Sequence, residues 1–252
     1  MCMACYVDEA TKDKIIAYNA EFHKVTKSPY GSDDEIGMLN MIDGDSRSKI
    51  IGNTDASKVF DLSVDNFIGM PGWFGAGDQP YQIWMTHTPQ GEIVANLMGV
   101  KKEQNELVAY SGDAISMYTH CGTHIDTFNH FGYNGEIFNG FTAKDHLGSR
   151  AWDVCGPEKY PPIFARGILL DIAAMYGVDT LEPSHPISKK DIEDCLKKQD
   201  LKIEPGDVVL LRTGQMLRWP DMAFTQNTPG LNREGAEYIA KHGAIMTILR
   251  SK

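Results

Sequence analysis

Apolar and polar positions alternate differently in the two halves of the chain. From Glu9 to Lys27, Ile15, Ile16, Tyr18 and Phe22 fit one face of a helix, which the turn Ser28-Pro29-Tyr30-Gly31 closes. Asp33 and Asp34 then stand where they can cap a short helix carrying Ile36, Leu39 and Ile42. Beyond it the pattern is strand-like, with strands expected over Lys58–Ser63, Gln82–Thr86, Leu107–Tyr110 and Ala114–His120. Between the first two, Gly69-Met70-Pro71-Gly72-Trp73-Phe74-Gly75 forbids regular structure, and its aromatics can wall a pocket.

The second half alternates strand and helix. Ile168 to Ile172 is a short apolar run of the buried-strand kind. Ser188 with Asp191 forms a capping-box pattern ahead of Ile192, Cys195 and Leu196 on a helix. Gly206-Asp207 turns into the buried strand Val208-Val209-Leu210-Leu211. Asn232 can cap a helix through Ala236, Tyr238 and Ile239 that stops at Gly243, and Ala244 to Leu249 is a third apolar run. Strands first and alternation afterwards predict an α/β fold.

Composition narrows the class. The 252 residues are 42% hydrophobic and 23% charged, enough for one sizeable core, and no repeat or linker divides them, so one domain is expected. No apolar stretch reaches about 18 residues and the opening segment has no signal-like h-region, which points to a cytoplasmic chain outside the membrane. With 24 basic against 34 acidic residues, the net charge of -10 disfavours nucleic acid and acidic bilayers as partners. The five cysteines, Cys2, Cys5, Cys121, Cys155 and Cys195, are scattered as reduced thiols are; Cys2 and Cys5 have suggestive spacing but no second pair.

One segment stands apart: His120-Cys121-Gly122-Thr123-His124-Ile125-Asp126-Thr127-Phe128-Asn129-His130 places three of the eight histidines and an aspartate within eleven residues. Strand parity sends His120 to the face of Ser116 and Tyr118, and Gly122 permits a bend that returns His124 toward it. Asp126 faces the same way if its backbone is extended. Two neutral nitrogens and one carboxylate suit a borderline divalent ion and leave its other positions open to water and substrate. His130, four residues further, lies beside such an ion as a proton carrier. Cys121 as a nucleophile is the weaker reading, because adjacent residues of a strand point apart. His23, His146 and His185 belong to no ligand cluster, whereas His87, after a strand and near the Trp73 loop, is expected to contact substrate.

At these residues the sequence resembles the cyclase-like metal-dependent hydrolase family, which includes bacterial kynurenine formamidase and isatin hydrolase. Its pattern, His-x-Gly-Thr-His-x-Asp-x-x-x-His, is complete from His120 to His130. Further similar blocks are Tyr30 to Asn40, Asp61-Leu62-Ser63, Gly167 to Asp171, Gly206 to Gly214 and Pro229-Gly230-Leu231, so the resemblance runs over residues 28 to 249. It implies a swivelling β/β/α domain, a mixed sheet with flanking helices, preceded by an N-terminal helical arm over residues 1 to 27, and assembly as a homo-oligomer, dimer or tetramer. It also implies hydrolysis of a small-molecule amide, cyclic amide or imide, lactone or ester bond by water activated on Zn or Mn. His120, His124 and Asp126 match the metal ligands, His130 the catalytic histidine, and Trp73 and Phe74 a loop near substrate.

Two departures qualify this picture. Phe128 stands where many members have a proline two residues after the aspartate, which resembles a branch with a longer N-terminal arm and separates the chain from the formamidases proper. Members also continue past the strand matching Ala244 to Leu249 into a segment with a further His and Glu; this sequence stops at Lys252, and Glu237 and His242 do not match those positions. The chain is thus C-terminally short for the family, and the alternative expectation is a truncated, catalytically impaired metal-binding or partner-binding relative.

Overall fold

The computed structural model describes residues 25–250. The expected arm helix lies almost wholly outside the described residues, as do Cys2, Cys5 and His23; Val25, Thr26 and Lys27 are not helical. In chain order the regular elements are α1 (Gly44–Gly52), β1 (Gln82–His87), α2 (Pro89–Ala95), α3 (Lys102–Asn105), β2 (Gly112–Ser116), β3 (Gly132–Tyr133) and β4 (Glu136–Ile137). They continue as α4 (Ala143–His146), β5 (Gly167–Asp171), α5 (Ile172–Tyr176), β6 (Pro186–Ile187), α6 (Lys189–Gln199), β7 (Val208–Arg212), β8 (Gly230–Leu231), α7 (Arg233–Lys241) and β9 (Met246–Arg250). The result is an α/β protein with several sheets and flanking helices, as the alternation predicts.

The chain forms two compact units. The larger holds the described residues up to Asp61, Ile125–Arg218 and those from Asn227 on; the smaller holds Leu62–His124 and Trp219–Gln226.

In the larger unit β5, β7 and β9 form a parallel sheet in that order, with β7 central. A central parallel strand is covered on both faces, which is why it reads as an unbroken apolar run: Val208, Val209 and Leu211 are buried. Helix α6 turns Ile192, Cys195 and Leu196 inward at i, i+3 and i+4 spacing, and they join Leu170, Ile172, Ile187, Val209, Leu211 and Ile239 in one core. The entrance to β7 is pinned by Arg166, which donates from Nε at 2.8 Å and Nη2 at 2.6 Å to the two oxygens of the buried Asp207. The two helix starts expected from sequence are observed: Ser188 and Asp191 form the capping box of α6, and Asn232 accepts the Gly235 N–H at 2.9 Å to start α7.

Asp191 also accepts the Tyr176 hydroxyl. Burial alone would raise its pKa, but the hydrogen bonds from Tyr176 and from Ser188 outweigh burial and hold the carboxyl below its ordinary range. The same bond, with burial adding to it, pushes the Tyr176 phenol up to about 12. The depressed carboxyl contributes stability above the unfolded-state pKa of about 4, and that contribution disappears as pH falls through the folded value. The raised phenol contributes stability below the ordinary tyrosine pKa of about 10, lost as pH climbs through the folded value. Tyr176→Phe is therefore expected to flatten the stability–pH curve at both ends, which urea titrations at acid and alkaline pH would register.

In the smaller unit β1 and β2 pair antiparallel, with Ile83 opposite Ile115 and Trp84 opposite Ala114. Its core is small: Met70, Tyr81 and Cys121, with Met117 and Trp219 against them. Of the strands expected in the first half of the chain, Gln82–Thr86 is met by β1, two fail and one is cut short. Lys58–Ser63 forms no strand, and Val59 and Phe60 are exposed. Leu107–Tyr110 is the irregular exit from α3, because β2 takes the ladder of β1. The strand expected over Ala114–His120 runs from Gly112 and ends at Ser116, so Thr119 and His120 lie in a bend and strand parity does not orient His120. A strand exists only where a partner backbone completes it, and the local pattern does not reveal the partner. Helices α1, α2 and α3 were not foreseen. The helix of Ile36, Leu39 and Ile42 is a short 3-10 turn over Gly37–Met41; Asp34, rather than Asp33, receives the Ile36 and Gly37 N–H groups.

Candidate metal centre

The segment from His120 to Asp126 is shaped by its neighbours within a few residues. Cys121 is buried, forms a backbone bridge with Gly72, and its thiol donates to the Tyr118 carbonyl at 2.9 Å. Burial pushes that thiol's pKa up, the reverse of what a nucleophile needs. Cys121 is thus an anchor that holds the chain while His120 and Gly122 on either side turn. Gly122 has φ +59°, and a Cβ there would stand 2.7 Å from Asn66 Oδ1. Thr123 follows with its hydroxyl oxygen accepting the Val64 N–H at 3.0 Å. Thr123 and Asn66 were not singled out in the sequence as parts of this bend; only the glycine before Thr123 signalled a turn there.

This bend returns His124 toward His120. Their ring centroids are 4.4 Å apart and His124 Nε2 lies 2.9 Å from His120 Nδ1. His124 Nδ1 is 3.2 Å from the Gly122 carbonyl oxygen. A proton on Nδ1, donated to that carbonyl, leaves Nε2 as the bare lone pair turned to His120, which is how a ligating imidazole is commonly oriented. One ligand atom each from His120, His124 and Asp126 lie within 4.8 Å of one another. In a tetrahedral site two nitrogens each about 2.1 Å from one ion stand about 3.4 Å apart; the observed pair is at hydrogen-bond distance, 2.9 Å, so a small separation of the rings would admit an ion. Two imidazoles and a carboxylate in this arrangement fit a divalent transition ion. His120 is half-buried while His124 and Asp126 are exposed, so the group is open to water.

After Asp126 the chain is fixed by Phe128, whose ring stacks on Phe138 at 4.1 Å and whose N–H donates to the Tyr160 hydroxyl at 3.2 Å. The residue that departs from the family pattern is thus an aromatic plug in the core of Ile137, Val154 and Cys155. His130 is exposed, its N–H donates to the Thr127 carbonyl at 2.9 Å and its ring lies 6.2 Å from that of Phe131. It is not one of the three converging groups.

Trp73 and Phe74 follow directly on the Gly72 bridge to Cys121, which ties their loop to the start of the motif; Trp73 is 49% exposed and Phe74 half-buried. His87 ends β1 at a bulge opposite Gly112, and its ring packs 5.6 Å from Tyr110. His146 pairs with Asp153 at 3.0 Å, and His185 packs on the Tyr176 ring at 5.2 Å.

A family model described as "Putative cyclase" matches residues 60–249. The chain belongs to this cyclase family. A solved structure of a novel cyclase is 24% identical with a TM-score of 0.72, covering 85% of this chain and 71% of its own, so the two share a fold. Isatin hydrolase A from Ralstonia solanacearum is 19% identical with a TM-score of 0.48 over 74% of this chain and 64% of that one. No curated protein matches the sequence. No described helix of this cyclase-family chain is long and apolar enough to cross a membrane.

Proposed function

We propose that the chain is a metal-dependent hydrolase that opens an amide, cyclic amide or imide, lactone or ester bond of a small molecule. The observation that supports this reading is the convergence of His120, His124 and Asp126 within 4.8 Å in a water-accessible place. Zinc or manganese held by these donors supplies Lewis acidity toward a carbonyl oxygen and lowers the pKa of water toward neutrality. His120 and His124 would each offer one ring nitrogen, and His124 Nδ1, 3.2 Å from the Gly122 carbonyl oxygen, can donate to it and so orient the ring. Asp126 offsets part of the ion's charge. His130 takes the proton of the attacking water on its imidazole and returns it to the departing nitrogen or oxygen. Trp73 and Phe74 offer a flat apolar wall to the substrate's ring, and His87 is a third substrate contact.

Elemental analysis of purified chain, followed by a panel of cyclic amides, imides, lactones and formylated arylamines with added Zn or Mn, tests this. About one equivalent of metal and metal-dependent turnover are expected. Metal uptake with no turnover across the panel would leave a metal-binding relative without this activity, and full turnover after chelation would reject the reading. His130→Ala is expected to keep its metal while turnover falls about 10²- to 10⁴-fold. Loss of metal in that variant would make His130 a ligand instead.

A further inference from the structure

Asp126 and His130, the carboxylate and the proton carrier of the proposed reaction, are both exposed, whereas the three residues between them, Thr127, Phe128 and Asn129, are half-buried. The stretch is a turn anchored at its middle. Two bonds inside it set its shape: the His130 N–H donates to the Thr127 carbonyl at 2.9 Å, and the Thr127 hydroxyl donates to Asn129 Oδ1 at 2.6 Å. Two bonds to residues far along the chain set where it sits: Asn129 Nδ2 donates to the Val154 carbonyl at 3.3 Å, and the Phe128 N–H to the Tyr160 hydroxyl oxygen at 3.2 Å. Of these four bonds, only the last is received by a side chain outside the turn.

One peptide plane carries both kinds of bond. The Thr127 carbonyl that receives His130 and the Phe128 N–H that reaches Tyr160 belong to the same unit, which is planar and turns as one piece. Packing places the Phe128 ring, whose centroid lies 4.1 Å from that of Phe138 in a stack and 6.0 Å from that of Tyr160 edge-on. Gly37 is so close that a Cβ there would stand 3.0 Å from the ring. These contacts do not set how the peptide plane is turned about the chain; the hydrogen bond at its N–H does. Burial pushes the Tyr160 phenol up, so its oxygen is a neutral acceptor at neutral pH.

Resting on the metal-dependent reading above, we propose that Tyr160 is a positioning residue of the hydrolytic site. Its hydroxyl oxygen fixes the Thr127–Phe128 peptide plane and thereby the placing of Asp126 on one side and His130 on the other. Asp126 is joined directly to Thr127, at the carbonyl end of the plane, and His130 is hydrogen-bonded to that carbonyl, so a rotation of the plane displaces both. A displacement of about 1 Å between groups that must meet in a reaction can cost about a hundredfold in rate. Tyr160 thus acts on the reaction through the backbone of the turn.

Tyr160→Phe keeps the ring and removes the acceptor. In isothermal titration with Zn it is expected to weaken binding about tenfold, the lower end for groups that orient a ligand. Made in an Asp126→Ala background, the same change is expected to alter affinity by less than about twofold, because the carboxylate through which it acts is gone. At saturating metal, kcat on the best substrate of the panel is expected to fall about tenfold with KM within about twofold, and this loss too should vanish in His130→Ala. Equal factors in the single and double backgrounds, the mark of a merely structural role, would overturn the proposal, as would wild-type affinity and kcat in Tyr160→Phe. Should the variant misfold, amide exchange in the wild-type chain decides. The Phe128 amide is expected to be as protected as that of Ile137, which is bonded to the Phe141 carbonyl at 2.9 Å; exchange at the rate of an unbonded amide would overturn the assignment. A wild type that neither binds Zn nor hydrolyses the panel would overturn the metal reading and Tyr160's role with it, whereas the variant outcomes overturn the role of Tyr160 alone.

Discussion

His124→Ala is expected to remove stoichiometric metal binding and, with it, hydrolysis. His124 is the donor whose position depends most on local geometry: its Nε2 sits 2.9 Å from His120 Nδ1 while Nδ1 is held by the Gly122 carbonyl. Without it the remaining imidazole and carboxylate are two ligands on an open surface, and affinity is expected to fall about a hundredfold or more, since each ligand supplies a few kcal/mol of the binding free energy. The His124 side chain is exposed, so its removal is expected to cost the fold little. Thermal unfolding of the metal-free variant should therefore match that of metal-free wild type. Added Zn or Mn at about 100 times the wild-type Kd should stabilise the wild type by about 2.7 kcal/mol and His124→Ala by about 0.4 kcal/mol or less. Undiminished metal content in the variant would mean that the three groups do not share an ion.

Gly122→Ala is expected to weaken metal binding by about 10- to 100-fold, the range for changes that misorient a ligand. Gly122 lies at φ +59°, where a side chain costs about 1–2 kcal/mol. A Cβ there would also approach Asn66 Oδ1 to 2.7 Å. The backbone then opens or Asn66 withdraws, and opening carries His124 away from His120. Adding Asn66→Ala is expected to restore the part of the loss that arises from the collision and leave the part that arises from φ. Isothermal titration with Zn on the single and double variants separates the two. Wild-type affinity in Gly122→Ala would show that the bend does not set the donor positions.

The readable features of the chain are those whose partners are near in sequence. The capping box of α6, the start of α7, the apolar runs of β5, β7 and β9 and the helix stripe Ile192, Cys195 and Leu196 follow from spacings of one to four residues. The candidate site is of the same kind, since its donors lie within seven residues and their types alone suit a borderline ion. What misled was pairing at a distance. Val59, Phe60 and Val108 are strand formers by type, yet no ladder includes them, and the His120 orientation inferred from a strand instead comes from a bend after Ser116.

The sequence by itself determined which groups can meet a metal ion, because a glycine and six short steps of chain already confine His120, His124 and Asp126 to one neighbourhood, and it determined the parallel α/β half, where burial on both faces demands continuous apolar runs. Tertiary structure alone decided that Cys121 is an anchor, that Gly72 ties the Trp73 loop beside it, and that Glu92 is inside while Leu107 is outside. Gly72 and Cys121 are 49 positions apart and Glu92 and Tyr110 18, and the free energy of such contacts depends on what the rest of the fold brings to them.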